Sequence, residues 1–444
     1  MSNQTAENSS DVDSELLSEE TLTSQEFEIV FAVHQHLLRE MDLQAVEKLN
    51  PERAREAVER SARAIMGEIA PSVYGEEKER IVQRVVDEAI ALGPIEPLLA
   101  DPSISEVMVN APDEVFYERD GVIYLSDVRF RDRVHIMRII DRIIAPLGRR
   151  VDESSPYVDA RLPDGSRVNV IIPPLVPKSP ILTIRKFRPD RYTMADLVAN
   201  ETMTEQLADF LQACVGLRLN TVISGGAGTG KTTLLNAVSA YIPNSERIVT
   251  IEDPIELKPQ QSHSISMEAR PPNIEGKNEV TQRDLFRNAL RMRPDRIIVG
   301  EVRGPEAFDM MQAMNTGHEG SLTTVHANST RDALARIENM ILMAGLDLPI
   351  RAIREQMAAA LHIMVHLSRS ADGRRRVTLV SEITGMESQI VTMQDLFRFE
   401  QTGIDGDGRL MGMLQPTGIM PTFMDRLTKS GITLDLGVPS VLRS

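Results

Sequence analysis

Apolar positions change their period twice along this chain. Phe27, Val30, Phe31, Leu37 and Leu38, with His34 among them, fall at helical spacing. A second stripe follows Pro51 through Val58, Ala62 and Ile65, and a third runs through Ile81, Val85 and Ile90 until Gly93-Pro94 stops it. These stripes predict a small helical bundle over residues 25–92. Residues 1–24 are polar and acidic, with few large apolar groups, and predict a disordered tail.

Over residues 93–195 short β-like runs (Val107–Val109, Val115–Tyr117, Val122–Tyr124) alternate with turn signals. A helical stretch covers His135 to Ile144, and Asp164-Gly165 separates two more strand-like runs that end at Ile172. That texture is α+β. Pro-rich segments and Arg188-Pro189-Asp190 then lead onward like a hinge. In residues 196–444 the strand-like runs Thr221–Ser224, Arg247–Ile251, Arg296–Val299 and Ser321–Val325 alternate with helical patterns, which predicts parallel strands joined by helical crossovers. The segment between Asp253 and Arg283, with Pro271-Pro272 and Gly276, reads as a surface loop. Arg374-Arg375-Arg376 after Asp372-Gly373 reads as a solvated hairpin turn, and Met310, Met311 and Met314 as helix core.

Composition narrows the class. The single cysteine, Cys214, excludes an intramolecular disulfide and an all-cysteine zinc site, and points to a reducing compartment, the cytosol. A net charge of −16 makes polyanions poor partners, so no stable nucleic acid is expected. No apolar run is long enough to span a bilayer, and no Lys or Arg precedes Arg39, which argues against a secretory signal. The expectation is a soluble, cytoplasmic, multi-domain protein.

The sharpest motif is Gly225-Gly226-Ala227-Gly228-Thr229-Gly230-Lys231-Thr232, a phosphate loop between the run Thr221–Ser224 and a helical pattern that starts at Thr233. Glycines let successive backbone N–H groups curl around a phosphate, and the helix N-terminus adds partial positive charge. Lys231 is expected at the β and γ phosphates of ATP, and the Thr232 hydroxyl on Mg²⁺. The spacing fails the dinucleotide fingerprint, because Lys231 stands where a third glycine belongs.

Hydrolysis needs more than a cradle. Glu301, just past the run Arg296–Val299, is placed to orient or deprotonate water. Gly300 stands where a metal-binding Asp is common, so the acids Glu252, Asp253 and Glu256 past the preceding strand are the candidates for polarising water or holding the hydrated metal. Thr232, Glu252 and Glu301 form the expected metal set. His318 and His326, around the run Ser321–Val325, lack the further ligands of a zinc site and are read as γ-phosphate contacts or sensors.

These four elements in this order resemble the ATPases of type II and type IV secretion and pilus assembly. Upstream, the segments Gly93–Asn110, Gly148–Pro156 and Asp159–Asn169 look like the tight-adherence (Flp) pilus branch, the CpaF-like ATPases, so the resemblance runs from about residue 90 to about 400. The single cysteine departs from relatives that carry a four-cysteine zinc subdomain. The resemblance implies an α/β protein with a RecA-like P-loop ATPase domain, preceded by an α+β domain that closes over nucleotide and by the helical bundle. It implies a homo-hexamer at the inner membrane, where it works on a platform protein in pilus assembly or retraction. Arg161, Arg167 and Arg185 stand at the positions from which the family reaches the γ-phosphate, with no choice among them, and Arg303 is a candidate for a neighbouring interface. Two other classes remain open: a nucleotide-gated scaffold with little turnover, and a DNA-translocating conjugative ATPase.

Overall fold

The computed structural model describes residues 22–41, 46, 49–119, 121–187, 192–272, 276–370, 372–406, 410–432 and 434. Most of the expected disordered tail lies outside them. Its last residues do not belong to a tail: the Thr23 hydroxyl accepts from the Glu26 amide and the Glu26 carboxylate from the Thr23 amide, a reciprocal cap that starts the helix Ser24–Glu40.

The chain divides into two compact units, Met1–Pro189 and Asp190–Ser444. In the first, helices Ser24–Glu40, Pro51–Ile69 and Gly75–Ile90 pack Val33, Leu37, Val58, Ala62, Ile65, Ile81 and Val85 into one core. The bundle and the α+β region that follows belong to the same unit. The His135 ring meets the Glu88 carboxylate at 2.9 Å, and Arg142 donates to the carbonyls of Glu88 and Ala91. Strands β1 (Ile104–Ala111), β2 (Glu114–Arg119), β3 (Val122–Leu125), β4 (Tyr157–Arg161), β5 (Arg167–Ile171) and β6 (Ile181–Arg185) form, among the described residues, an antiparallel sheet in the order β3-β2-β1-β6-β5-β4. The helix Arg133–Ile144 buries Ile136, Ile139, Ile140 and Ile143 with Val107, Val109, Val168, Leu182 and Ile184 of its strands.

The second unit starts before the boundary expected at residue 196, since the helix Met194–Ala199 belongs to it. Its strands are β7 (Thr221–Gly225), β8 (Ile248–Glu252), β9 (Ser264–Glu268), β10 (Arg296–Val299), β11 (Leu322–His326), β12 (Ile363–Arg369), β13 (Arg375–Glu387), β14 (Ile390–Ile404) and β15 (Leu410–Pro416). They form one sheet in the order β15-β14-β13-β12-β7-β11-β10-β8-β9. From β12 through β9 every pairing is parallel, whereas β12 to β15 pair antiparallel. β7, β8 and β10 are buried throughout, which is why they read as unbroken apolar runs. One core holds Leu207, Phe210, Leu211, Leu234 and Leu235, and the other holds Met310, Met311, Met314, Ile337 and Met340.

Two readings need correction. The segment after Asp253 is not only loop, because β9 pairs with β8 there from Ile248↔Ser264 to Glu252↔Glu268. Arg375 and Arg376 are not a solvated turn. The turn precedes them, where the Gly373 amide donates to the Ser370 carbonyl; both arginines belong to β13, with Arg376 buried and its guanidinium on Asp372. Short, half-polar strands give weak period signals, and tertiary pairing decides them.

Candidate functional site

β7 pairs with β12 on one side and with β11 on the other, and the next strand in sequence, β8, lies beyond β11 and β10. That reversal opens a crevice at the carboxyl ends of the strands. All four sequence motifs have members there. The loop from Gly225 leaves β7, Glu252 closes β8, Gly300-Glu301 follows β10, and His326 ends β11 level with Gly225.

The loop's shape follows from its glycines. Gly228 and Gly230 have φ of +67° and +92°, left-handed values that other residues adopt only with strain. A β-carbon at Gly225 would stand 2.5 Å from Thr229 Oγ1 and 2.7 Å from the Leu367 carbonyl. Thr229 Oγ1 donates to the Gly226 carbonyl at 3.0 Å, and Lys231 Nζ reaches the same carbonyl at 2.8 Å, so the ammonium stands across the mouth of the loop. Thr232 and Thr233 lie in the first turn of the helix Lys231–Ser239, where unpaired N–H groups favour an anion.

Glu301 is half-buried, and Arg303 grips its Oε2 through Nε (2.9 Å) and Nη2 (2.6 Å). Burial opposes the charge on Arg303, but Glu301, Asp253 and Glu256 outweigh it and hold the guanidinium pKa above its ordinary value. Arg303, expected at an interface, pairs with Glu301 in its own chain.

Glu252 differs from the other acids. It is buried; its Oε1 accepts from the Thr250 hydroxyl (3.1 Å) and its Oε2 from the amides of Glu256 (2.7 Å) and Leu257 (2.8 Å). Burial pushes its carboxyl up despite those hydrogen bonds. Gly300 supplies the room, since a β-carbon there would stand 2.9 Å from Glu252 Cγ. The glycine that reads as a missing metal ligand is therefore the space that Glu252 fills. Through these hydrogen bonds Glu252 holds the turn that carries Asp253 and Glu256.

His318 also departs from expectation. It precedes β11, whose five residues at about 3.3 Å each put it roughly 16 Å from the loop, at the amino edge of the sheet. Its carbonyl accepts from Ser321 there. Only His326 of the pair stands beside the phosphate loop.

In the first unit, Arg161 faces Arg167 across β4–β5, and Arg167 faces Arg185 across β5–β6. Glu106 of β1 continues the rung beside Arg185. Three like charges on neighbouring strands repel unless an anion or acid joins them. Sequence order alone, 161, 167 and 185, carries no sign of this alignment.

Among the described residues, no group of three or more His, Cys, Asp or Glu side chains is arranged to hold a metal ion. A hard cation that takes most of its ligands from phosphate and water needs no such group, so the hydroxyl of Thr232 beside the loop fits Mg²⁺ bound with nucleotide. No helix among the described residues is long and apolar enough to cross a membrane.

Several known proteins are similar to this chain. The family described as type II/IV secretion system protein (T2SSE) matches residues 88–419. A putative conjugal transfer protein of Mycobacterium tuberculosis is 38% identical over 309 residues, which is 68% of this chain and 87% of that protein. The type IV secretion system protein VirB11 of Brucella suis is 33% identical over 316 residues, 65% of this chain and 88% of that protein. A crystal structure of the Brucella suis VirB11 ATPase aligns with 65% of this chain and 94% of its own, at 30% identity and a TM-score of 0.35.

Proposed function

This chain belongs to the type II/IV secretion system protein family, and from that premise we propose that it is an ATP-hydrolysing motor of a secretion or pilus machine. The observation that carries the reading is the curled loop at the end of β7 with Glu301 at the end of β10, on one edge of one sheet. Loop amides and Lys231 bind the β and γ phosphates. Glu301, oriented by Arg303, takes a proton from the attacking water, and His326 reports the γ-phosphate. Mg²⁺, bound with the nucleotide through Thr232, would neutralise phosphate charge there. The parallel order β12-β7-β11-β10-β8, with the loop leaving β7, supports reading the second unit as a RecA-like P-loop ATPase domain. The arginine rung of Arg161, Arg167 and Arg185 provides guanidinium forks for phosphate oxygens.

The upstream segments favour the tight-adherence pilus branch, acting as a cytoplasmic homo-hexamer on an inner-membrane platform protein. The test is nucleotide binding and phosphate release by the purified chain. Lys231→Ala abolishes ATP binding, and Glu301→Ala keeps binding and loses turnover. Equal hydrolysis by Glu301→Ala and the unaltered chain would remove Glu301 from its role, and no turnover above Lys231→Ala would leave a nucleotide-gated scaffold.

The name of the mycobacterial relative favours a second reading, service in a conjugative DNA-transfer machine. Salt-sensitive DNA binding that stimulates ATPase activity would select it; a net charge of −16 weighs against direct DNA contact.

A further inference from the structure

Arg374 precedes β13, Arg375 and Arg376 open it, and the three have different surroundings. Successive residues of a strand point to opposite faces. Arg374 pairs with Glu201, and Arg376 is buried on Asp372, with its guanidinium 5.8 Å from the Phe399 ring. Arg375, exposed on the other face, lies beside the phosphate loop: the position a β-carbon would take at Gly230 is 3.6 Å from Arg375 Cδ. β12 puts the hairpin there, because Leu367 pairs with Gly225 and Arg369, two residues on, faces Arg375.

The sheet order orients the ligand. Glu301 and Asp253 follow β10 and β8, on one side of β7, while β12 and β13 lie on the other. A triphosphate whose γ end meets Glu301 leaves its α-phosphate and nucleoside towards the β12–β13 hairpin. We propose that Arg375 is a nucleotide-binding residue that contacts the α-phosphate end of ADP and ATP. This inference rests on the phosphate-loop reading above. It separates Arg375 from the groups at the γ end, since its contact is made equally by the diphosphate.

Calorimetric titration of the full chain with Mg·ADP tests the assignment. Arg375→Ala raises the Kd about tenfold or more, the loss of one charge-assisted contact. Arg375→Lys recovers part of that loss, because it keeps a charge without the fork. Arg374→Ala, an equal loss of charge one residue away, stays within twofold. An Arg375→Ala chain that binds Mg·ADP within twofold of the unaltered protein overturns the assignment and leaves the phosphate-loop reading standing. Lack of ADP binding by the unaltered chain itself sinks the underlying reading, and this inference with it.

Discussion

The two edges of the parallel sheet use their polar side chains in opposite ways. At the amino edge, Arg296 is fully buried and donates to Val215 O (2.9 Å), Gly320 O (3.2 Å) and Glu246 Oε2 (2.5 Å). Asn220 accepts from the amides of Gly320 and Ser321 and donates to the Ala360 carbonyl. These groups answer one another, and they hold strands in register. At the carboxyl edge, Lys231, Glu301, Arg303 and His326 are half-buried or exposed around glycine-rich backbone. Glu252 apart, the motif residues at the carboxyl edge stand open around the loop, whereas the polar groups named at the amino edge are taken up by the fold. His318 and His326, eight positions apart, fall on different sides of that division.

The comparison breaks most visibly at Arg296. Arg296→Met is expected to cost about 3–5 kcal/mol of stability by leaving Glu246 short of its buried partner, seen as a lower denaturation midpoint, while the folded fraction binds ATP normally. Lys231→Ala gives the converse, lost binding at an unchanged midpoint. A loss of ATP affinity in folded Arg296→Met would end the distinction between the edges.

Gly300→Ala comes next. Its β-carbon would meet Glu252 Cγ at 2.9 Å, so either Glu252 or the strand shifts, at about 1–3 kcal/mol. Because Glu252 positions the turn bearing Asp253, turnover falls along with the unfolding midpoint. A neutral result on both counts would mean that the carboxyl edge tolerates what its packing forbids.

The histidines give a smaller, sharper test. His326→Ala is expected to lower kcat about tenfold, the loss of one hydrogen bond to a charged phosphate, and His318→Ala to leave it within twofold. Equal losses in steady-state phosphate release would put both histidines in one functional unit.

Acidification gives the smallest effect. At the amino end of β8, burial raises Glu246, but Arg296 and Arg218 outweigh it and hold its pKa below the ordinary 4.5. At the carboxyl end, burial raises Glu252 above 4.5. A lowered folded pKa means that the Glu246 contribution is complete above pH 4.5 and is lost as pH falls through the folded value. A raised one means that Glu252 is a cost at neutral pH, relieved as pH falls through its folded value towards 4.5. Urea midpoints across that range should show the rise vanish in Glu252→Gln and the fall shrink in Glu246→Gln. The reverse pattern would exchange the roles of the two edges.

Much of this was legible locally. The helical stripes of the first 92 residues, the alternation beyond residue 200 and the loop from Gly225 to Thr232 each depend on neighbours a few positions away, and that is where sequence patterns carry information. β9 leaves no mark in the sequence because a five-residue edge strand has little periodicity of its own. The arginine triplet does not reveal its place locally, because hydrophilic letters after Asp-Gly describe a turn as well as a strand that starts beside one.

What the sequence determined by itself was the class of chemistry: a glycine-rich loop ending in Lys-Thr cradles phosphate by its own backbone geometry, wherever the rest of the chain goes. Only the tertiary structure decided which distant residues share that cradle. Strand order brought Glu301, His326 and Arg375 to one edge, sent His318 to the other, and filled the space above Gly300 with Glu252. The physical reason is that a parallel sheet is assembled from crossovers, so positions far apart in sequence become neighbours, and a side chain's partners are set by which end of its strand it occupies.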